Sequence, residues 1–250
     1  MKSKIAFYVF QILICILMPY LSIGQCEFLP LGPNEFNSAS LTSGVYPVLS
    51  IDGNDVKYIC FSDNSQSSKL TVRKFVNENW EPVGVPGFTA TATFDFTIAL
   101  DVDGLPVVAF ADASALNKLS VMKYDGANWN YIGTQGLSSS DINFVSLVID
   151  SNGNYFVSFR DNFVSSKLSV MKYDGTWSYV GVQGFTAGIA NEGQITLDEN
   201  EMPVVIYSDN ANGDKATVQK FDGSFWNFIG TPGFTPCWIN QSSIEVEDDG

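Results

Sequence analysis

A unit of about 49 residues occurs four times in succession, and whatever fold this chain adopts must repeat with it. An Asp closes the first apolar run of each copy at Asp52, Asp101, Asp150 and Asp198. Eleven residues later another Asp closes the second run at Asp63, Asp112, Asp161 and Asp209, and six residues on stands a Lys: Lys69, Lys118, Lys167 and Lys215. Trp80, Trp129, Trp177 and Trp226 follow at steps of 49, 48 and 49. Four residues after each Trp is a Gly (Gly84, Gly133, Gly181, Gly230), and three further is another (Gly87, Gly136, Gly184, Gly233).

Each copy reads as four short strands, a to d, which in the third copy cover residues 147–150, 155–161, 167–173 and 177–182. Strand b is rich in Val, Phe and Tyr, as a strand covered on both faces would be. Strand c alternates in the manner of a pleated strand. Asp125-Gly126, Asp174-Gly175 and Asp222-Gly223 supply hairpin chemistry between c and d, and Asp103-Gly104 and Asn152-Gly153 between a and b. No stretch after the N-terminus has a 3.6-residue apolar period. Four antiparallel strands per copy, repeated radially, specify an all-β chain, a β-propeller of four-stranded blades. The Trp, together with Phe88, Leu137, Phe185 and Phe234, is expected to fill the space between neighbouring blades, because a single blade cannot cover both of its faces.

Residues 1–24 read as an export signal: Lys2 and Lys4, an apolar run over 5–20, then Ser22-Ile23-Gly24. The apolar run is short for an uncleaved anchor, and Gln25 before Cys26 does not suit a lipoprotein signal. Residues 25–250 are the propeller. Phe28, Gly32 and Phe36 match the strand d spacing, so residues 25–41 are expected to be a lone outer strand. The four blades cover 42–88, 92–137, 141–185 and 190–234. Residues 241–250 read as the start of a fifth repeat, and the ring is therefore expected to be incomplete and truncated.

The chain has 13 basic and 27 acidic residues; with Lys2 and Lys4 in the signal, 11 basic residues remain against 27 acidic, a net charge of −16. Such a surface excludes nucleic acid and anionic membranes as partners, and no membrane insertion is expected after signal cleavage. The Lys opening strand c and the one five residues later (Lys74, Lys123, Lys172, Lys220) account for most of the basic charge, so it follows the blades and forms no patch. There is no His, which excludes Ser-His-Asp and Cys-His catalysis and His-bound zinc. Cys60 falls in strand b, where the other copies have Ala109, Ser158 and Ile206, and reads as a small core residue. Export permits a Cys26–Cys237 bridge, but the odd count in the mature chain argues against a disulfide scaffold. No cofactor, metal site or catalytic residue is assigned. The turns Asp101-Val102-Asp103-Gly104 and Asp150-Ser151-Asn152-Gly153 faintly resemble calcium loops, but the ligand series does not continue, and tight turns fit better.

The candidate ligand-binding residues lie in the b–c and d–a connections, which in a meander emerge on one face. They are Asp63, Asn64, Asp112, Asp161, Asn162, Asp209, Asn210 and Trp238. Small polar side chains with an occasional aromatic suit sugar hydroxyls and stacking on a pyranose ring. The competing reading for the four Asp residues is structural: a b–c loop held by Asp accepting backbone N–H bonds or pairing with the nearby Lys. Recurrence in every blade favours that reading, since a catalytic pair would more naturally be unique to one or two blades.

The run Val-Val-x-Phe-x-Asp, Lys-Leu-Ser-Val-x-Lys-Tyr-Asp-Gly and Trp-x-x-Val/Ile-Gly-x-x-Gly-Phe-Thr resembles the propeller repeats of secreted proteins from Bacteroidetes-type bacteria. It is also similar to propeller lectins of the tachylectin and fucose-binding kind. The resemblance implies a secreted or cell-surface binding or adhesion module whose partners are glycans or extracellular proteins. The alternatives are a carboxylate-dependent carbohydrate-active enzyme on the same scaffold and a purely structural module of a longer surface protein.

Overall fold

The computed structural model describes residues 45–246; the expected signal segment, the expected lone outer strand and Glu247–Gly250 lie outside them. Sixteen strands form four separate antiparallel sheets of four, each in simple sequence order. The first blade holds β1 (Val48–Ile51), β2 (Lys57–Asp63), β3 (Lys69–Val76) and β4 (Asn79–Pro82). The second holds β5 (Phe96–Leu100), β6 (Pro106–Asp112), β7 (Lys118–Tyr124) and β8 (Trp129–Tyr131). The third holds β9 (Ile142–Ile149), β10 (Tyr155–Asp161), β11 (Lys167–Tyr173) and β12 (Trp177–Tyr179), and the fourth β13 (Ala190–Leu197), β14 (Pro203–Asp209), β15 (Lys215–Phe221) and β16 (Trp226–Phe228). The innermost strands β1, β5, β9 and β13 stand side by side in that order, which sets the blades in an arc.

The core lies between blades. In β6, Val107, Ala109 and Ala111 join a buried cluster with Val145, Leu147 and Val157 of the third blade. The residues between them, Val108 and Phe110, join Cys60, Leu70 and Val72 of the first. Successive side chains of a strand point to opposite faces, so a strand packed on both sides must be apolar at every position. The same holds for β14, whose Val205 and Tyr207 face the third blade.

Each junction carries the same seam. The Trp129 indole N–H donates to the Val83 carbonyl at 3.0 Å, Trp177 to Ile132 at 2.7 Å, and Trp226 to Val180 at 2.9 Å. The acceptor in each case belongs to the outer edge of the preceding blade. Trp129 stacks on Phe88 at 4.0 Å and Trp226 on Phe185 at 4.1 Å, with ring planes 7° apart in both. The Gly after each Trp makes room for the next indole: a Cβ on Gly133 would lie 2.8 Å from Trp177 Cδ1. Gly230, whose blade is followed by no further Trp-bearing strand among the described residues, would meet nothing. The expected inter-blade role of Trp and of the Phe or Leu is thus what the structure shows.

Strands b and c run as read from the sequence. Strand a is longer in the third and fourth blades, beginning at Ile142 and Ala190, with a bulge in each ladder. Strand d is shorter, three residues in blades two to four, because the following Gly residues have positive φ (Gly133 +81°, Gly181 +71°) and turn the chain away. Gln241–Val246 join no ladder, although Ile239 and Ile244 pack on the fourth blade's apolar face. Cys60 is fully buried in the core, and Cys237 is exposed.

The b–c connections are single turns of 3-10 helix at Asn64–Gln66, Ala113–Ala115, Asn162–Val164 and Asn210–Asn212, which no periodicity announced. The preceding Asp caps each one. Asp63 accepts from the Ser65 N–H at 2.9 Å and the Thr71 hydroxyl at 2.9 Å. Asp112 takes the Ser114 N–H and the Ser120 hydroxyl, both at 3.0 Å; Asp161 takes the Phe163 N–H at 3.1 Å and Ser169 at 3.0 Å; Asp209 takes the Ala211 N–H at 3.1 Å and Thr217 at 2.9 Å. Each hydroxyl in turn accepts from the second repeat Gly: Gly87, Gly136, Gly184 and Gly233, at 2.9–3.0 Å. The ion pairs use other Asp residues. Lys123 pairs with Asp101 and Lys220 with Asp198, at the ends of strand a. Those strand a Asp residues also close their own turns, as Asp150 does by accepting from the Asn152 and Asn154 N–H groups at 3.0 and 2.8 Å.

Three outcomes follow for stability. Trp177→Ala is expected to lower unfolding free energy by about 3 kcal/mol, and Trp177→Phe, which keeps a ring but loses the N–H donor, by about 1 kcal/mol, read by denaturant titration. Gly133→Ala and Gly230→Ala share the cost of a positive φ, so the additional loss at position 133, about 1–3 kcal/mol, isolates the clash with Trp177; equal losses would refute the seam. Burial of the Asp112 carboxyl acts to raise its pKa, but bonds from the Ser114 hydroxyl, Gln135, Ser120 and the Ser114 N–H outweigh it and leave the pKa lowered. A carboxyl with a lowered folded pKa stabilises above its ordinary value and loses that contribution as pH falls through the lowered one. Asp112→Asn should therefore destabilise at neutral pH, with a penalty that shrinks in acid.

Candidate functional site

The b–c and d–a connections do emerge together. The Asn210 N–H donates to the Ile189 carbonyl, and the Asn162 amide to the Asp141 carboxylate at 2.7 Å. On this face the fourth blade and the chain beyond it enclose a solvent-open cleft of about 490 Å³. Its walls are Asn191 and Glu192 from β13, Ser208 from β14, Asn210 and Asp214 from the b–c connection, and Trp238, Ile239 and Asn240 from the next d–a connection, with Phe144 of the third blade beside them. Trp238 is 65% exposed, which leaves its ring open to solvent.

Local sequence explains how these side chains are held. The Thr235 hydroxyl donates to the Cys237 carbonyl at 2.8 Å, and the Ile239 N–H to the Asp214 carbonyl at 2.9 Å, so Trp238 sits on a chain pinned on both sides. Asn210 donates from its amide to Asp214 Oδ1 at 3.2 Å. Asn64 and Asn162 hold the same place in their loops but accept instead, from Ser68 at 2.9 Å and Ser166 at 2.8 Å. The carboxylate at position 214 is what reverses the amide in the fourth blade.

Of the eight residues singled out in the sequence, Asn210 and Trp238 meet in this cleft. Asp63, Asp112, Asp161 and Asp209 lie beneath the loops, all 2% exposed or less, with oxygens engaged in the caps described above. Asn64 and Asn162 belong to the corresponding loops of the first and third blades. A counterpart of about 480 Å³ lies at the second blade, lined by Leu116, Asn117, Lys118 and Ser139–Asp141. Two further clefts occupy the opposite face, one between the a–b turns of the first two blades and one between those of the third and fourth. No group of three or more Cys, Asp or Glu among the described residues is placed to hold a metal ion.

Behind the cleft is a polar cluster that the repeat did not reveal. Arg160 stands where the other blades have Ser62, Ala111 and Ser208. Its guanidinium donates to Asn143 and Asn191, both at 2.6 Å, and lies 4.8 Å from the centre of the Phe144 ring. Asp95 accepts the Phe144 and Val145 N–H groups at 2.5 and 3.1 Å and so anchors the bulge of β9. Burial raises the pKa of Asp95, against the two N–H bonds and Arg160. Burial, then the Asp95 charge, raises that of Glu192, and Arg160 offsets this only in part. The available signal for the cluster was the departure from repetition: Arg160, Asp95 and Glu192 each occur once at their repeat positions.

No protein family model matches the chain, and no curated protein matches it. Solved structures do. A variant of the Aleuria aurantia lectin in complex with Fucα1-6GlcNAc aligns with a TM-score of 0.56 at 16% identity, over 76% of this chain and 64% of the lectin. The same lectin, described as a six-bladed β-propeller with a novel fucose recognition mode, aligns at 0.52 and 15% identity over 79% and 64%. An α-L-arabinofuranosidase from Fusarium graminearum aligns at 0.52 and 12% identity, over 74% of this chain and 65% of the enzyme. The chain spans about two thirds of the length of each of these proteins, and at these identities the likeness establishes one thing: the chain has the β-propeller fold.

Proposed function

We propose that the protein is an exported carbohydrate-binding propeller that takes a pyranose against Trp238 in the loop-face cleft. The observation that carries this reading is an indole 65% exposed beside three amides and two carboxylates on a pinned backbone. A sugar ring needs this combination, an apolar face for its C–H groups and a ring of donors and acceptors for its hydroxyls. The cleft is open to solvent and has a counterpart between the b–c and d–a connections of the second blade, which suits binding at more than one place better than a single buried reaction centre. The fold shared with a lectin crystallised on a fucosylated disaccharide supports the ligand class. The charged, apolar, then small-residue order of residues 1–24 supports export to the surface or medium.

The second reading, a glycoside hydrolase, draws on Asp95 and Glu192, two carboxyls whose pKa values are both raised, that of Glu192 partly by the Asp95 charge. A hydrolase needs both carboxyls facing the scissile bond. Both oxygens of Asp95 are occupied by backbone N–H groups, and of the two only Glu192 lines the cleft. Binding is therefore preferred.

The test is a glycan array followed by titration of the best ligand. Trp238→Ala is expected to weaken binding by about tenfold or more while leaving thermal unfolding unchanged. An array without ligands, together with sugar release from any polysaccharide that Glu192→Gln abolishes, would replace the lectin reading with the hydrolase.

A further inference from the structure

We propose that the Trp238 cleft selects a sugar carrying a protonated amine, a deacetylated hexosamine being the simplest case. The inference rests on the sugar-binding reading and specifies its ligand. Two carboxylates, Glu192 and Asp214, line the cleft together with the Asn191, Asn210 and Asn240 amides, and no cationic side chain lines it. The nearest guanidinium, Arg160, is turned to Asn143 and Asn191 and lies over Phe144. It is therefore committed behind the cleft and offsets the Glu192 charge only in part.

Glu192 is the residue whose charge is least well accommodated. It is half-buried, the Asp95 carboxylate acts on it, and Arg160 compensates incompletely, so its pKa is raised. An anion held at a cost in the free protein gains more from an incoming cation than a fully solvated one does. An ammonium group on the sugar would supply that charge. It would also meet the negative face of an aromatic ring if it lay over Trp238. An N-acetylated or acidic sugar of the same shape supplies neither, and an acidic one adds repulsion in a chain of net charge −14.

The experiment compares glucosamine disaccharide with its di-N-acetylated form, by calorimetry on the full chain at about 0.15 M salt, where long-range attraction to the acidic surface is screened. The amine form is expected to bind about fivefold to tenfold more tightly. Glu192→Gln should remove that preference, read as the ratio of the two affinities in one variant, and the preference should weaken as the pH is lowered, since burial and the Asp95 charge raise the Glu192 pKa. Equal affinity for both forms, lost in Trp238→Ala, overturns the amine inference and leaves sugar binding standing. An amine preference that survives both Glu192→Gln and Trp238→Ala overturns it as non-specific attraction to the acidic surface. Binding of neither form overturns it as well, and the glycan array then decides the broader reading separately.

Discussion

The indole that each blade sends into its predecessor is the interaction on which the remaining structure depends. It makes one hydrogen bond to an outer-edge carbonyl, covers a glycine and, at two of the three junctions, lies flat on a Phe ring. A four-stranded sheet alone has two apolar faces and nothing to place on them. The seam supplies both the cover and the register: the N–H donor fixes the height of one blade against the next, and stacking fixes its tilt. The buried clusters at each junction are consequently built from two blades, never from one sheet folded on itself.

Much of this was legible because repetition within one chain separates scaffold from decoration. The limits of strands b and c in the third blade match the residues whose alternation or full burial defined them, Tyr155–Asp161 and Lys167–Tyr173. The ends of strands a and d were not legible. Ile142 and Ala190 extend their strands past a bulge whose residues, Phe144 and Glu192, have φ of +54° and +53° and carry no glycine to announce it. Tyr179 ends its strand because Gly181 is committed to accommodating Trp226, a constraint from another blade. The capped turns were half legible: the recurring Asp pointed to a loop held from below, but Thr71, Ser120, Ser169 and Thr217, the hydroxyls that complete the device, also recur and went unread.

The candidate site shows the opposite balance. The four repeated Asp residues are engaged beneath the loops, whereas the cleft owes its aromatic ring and its carboxylates to residues that differ between blades. Trp238 replaces Ile189 and Asp141 of the equivalent connections, and Asp214 replaces Ser68, Asn117 and Ser166. Arg160 was visible only as an exception in an otherwise small-residue position, and nothing in its neighbourhood of sequence reveals that it would bridge Asn143 and Asn191 from adjacent blades. A link 31 residues long is set by the arc and cannot be read from local spacing.

The bulge has an evolutionary consequence. Asp95, Phe144 and Glu192 hold one repeat position in three consecutive blades with an acid, an aromatic ring and a longer acid, and the bulge forms at the latter two. The third and fourth blades adopt the left-handed kink there with a Phe and a Glu, so one backbone conformation displays an aromatic ring or a carboxylate. The seams lie at the outer edge of the sheets, remote in each blade from this innermost strand. Mutation can therefore redecorate the mouth of the arc one module at a time while the mortar between modules stays untouched, and gene duplication of such a module multiplies specificities without a new fold having to be found.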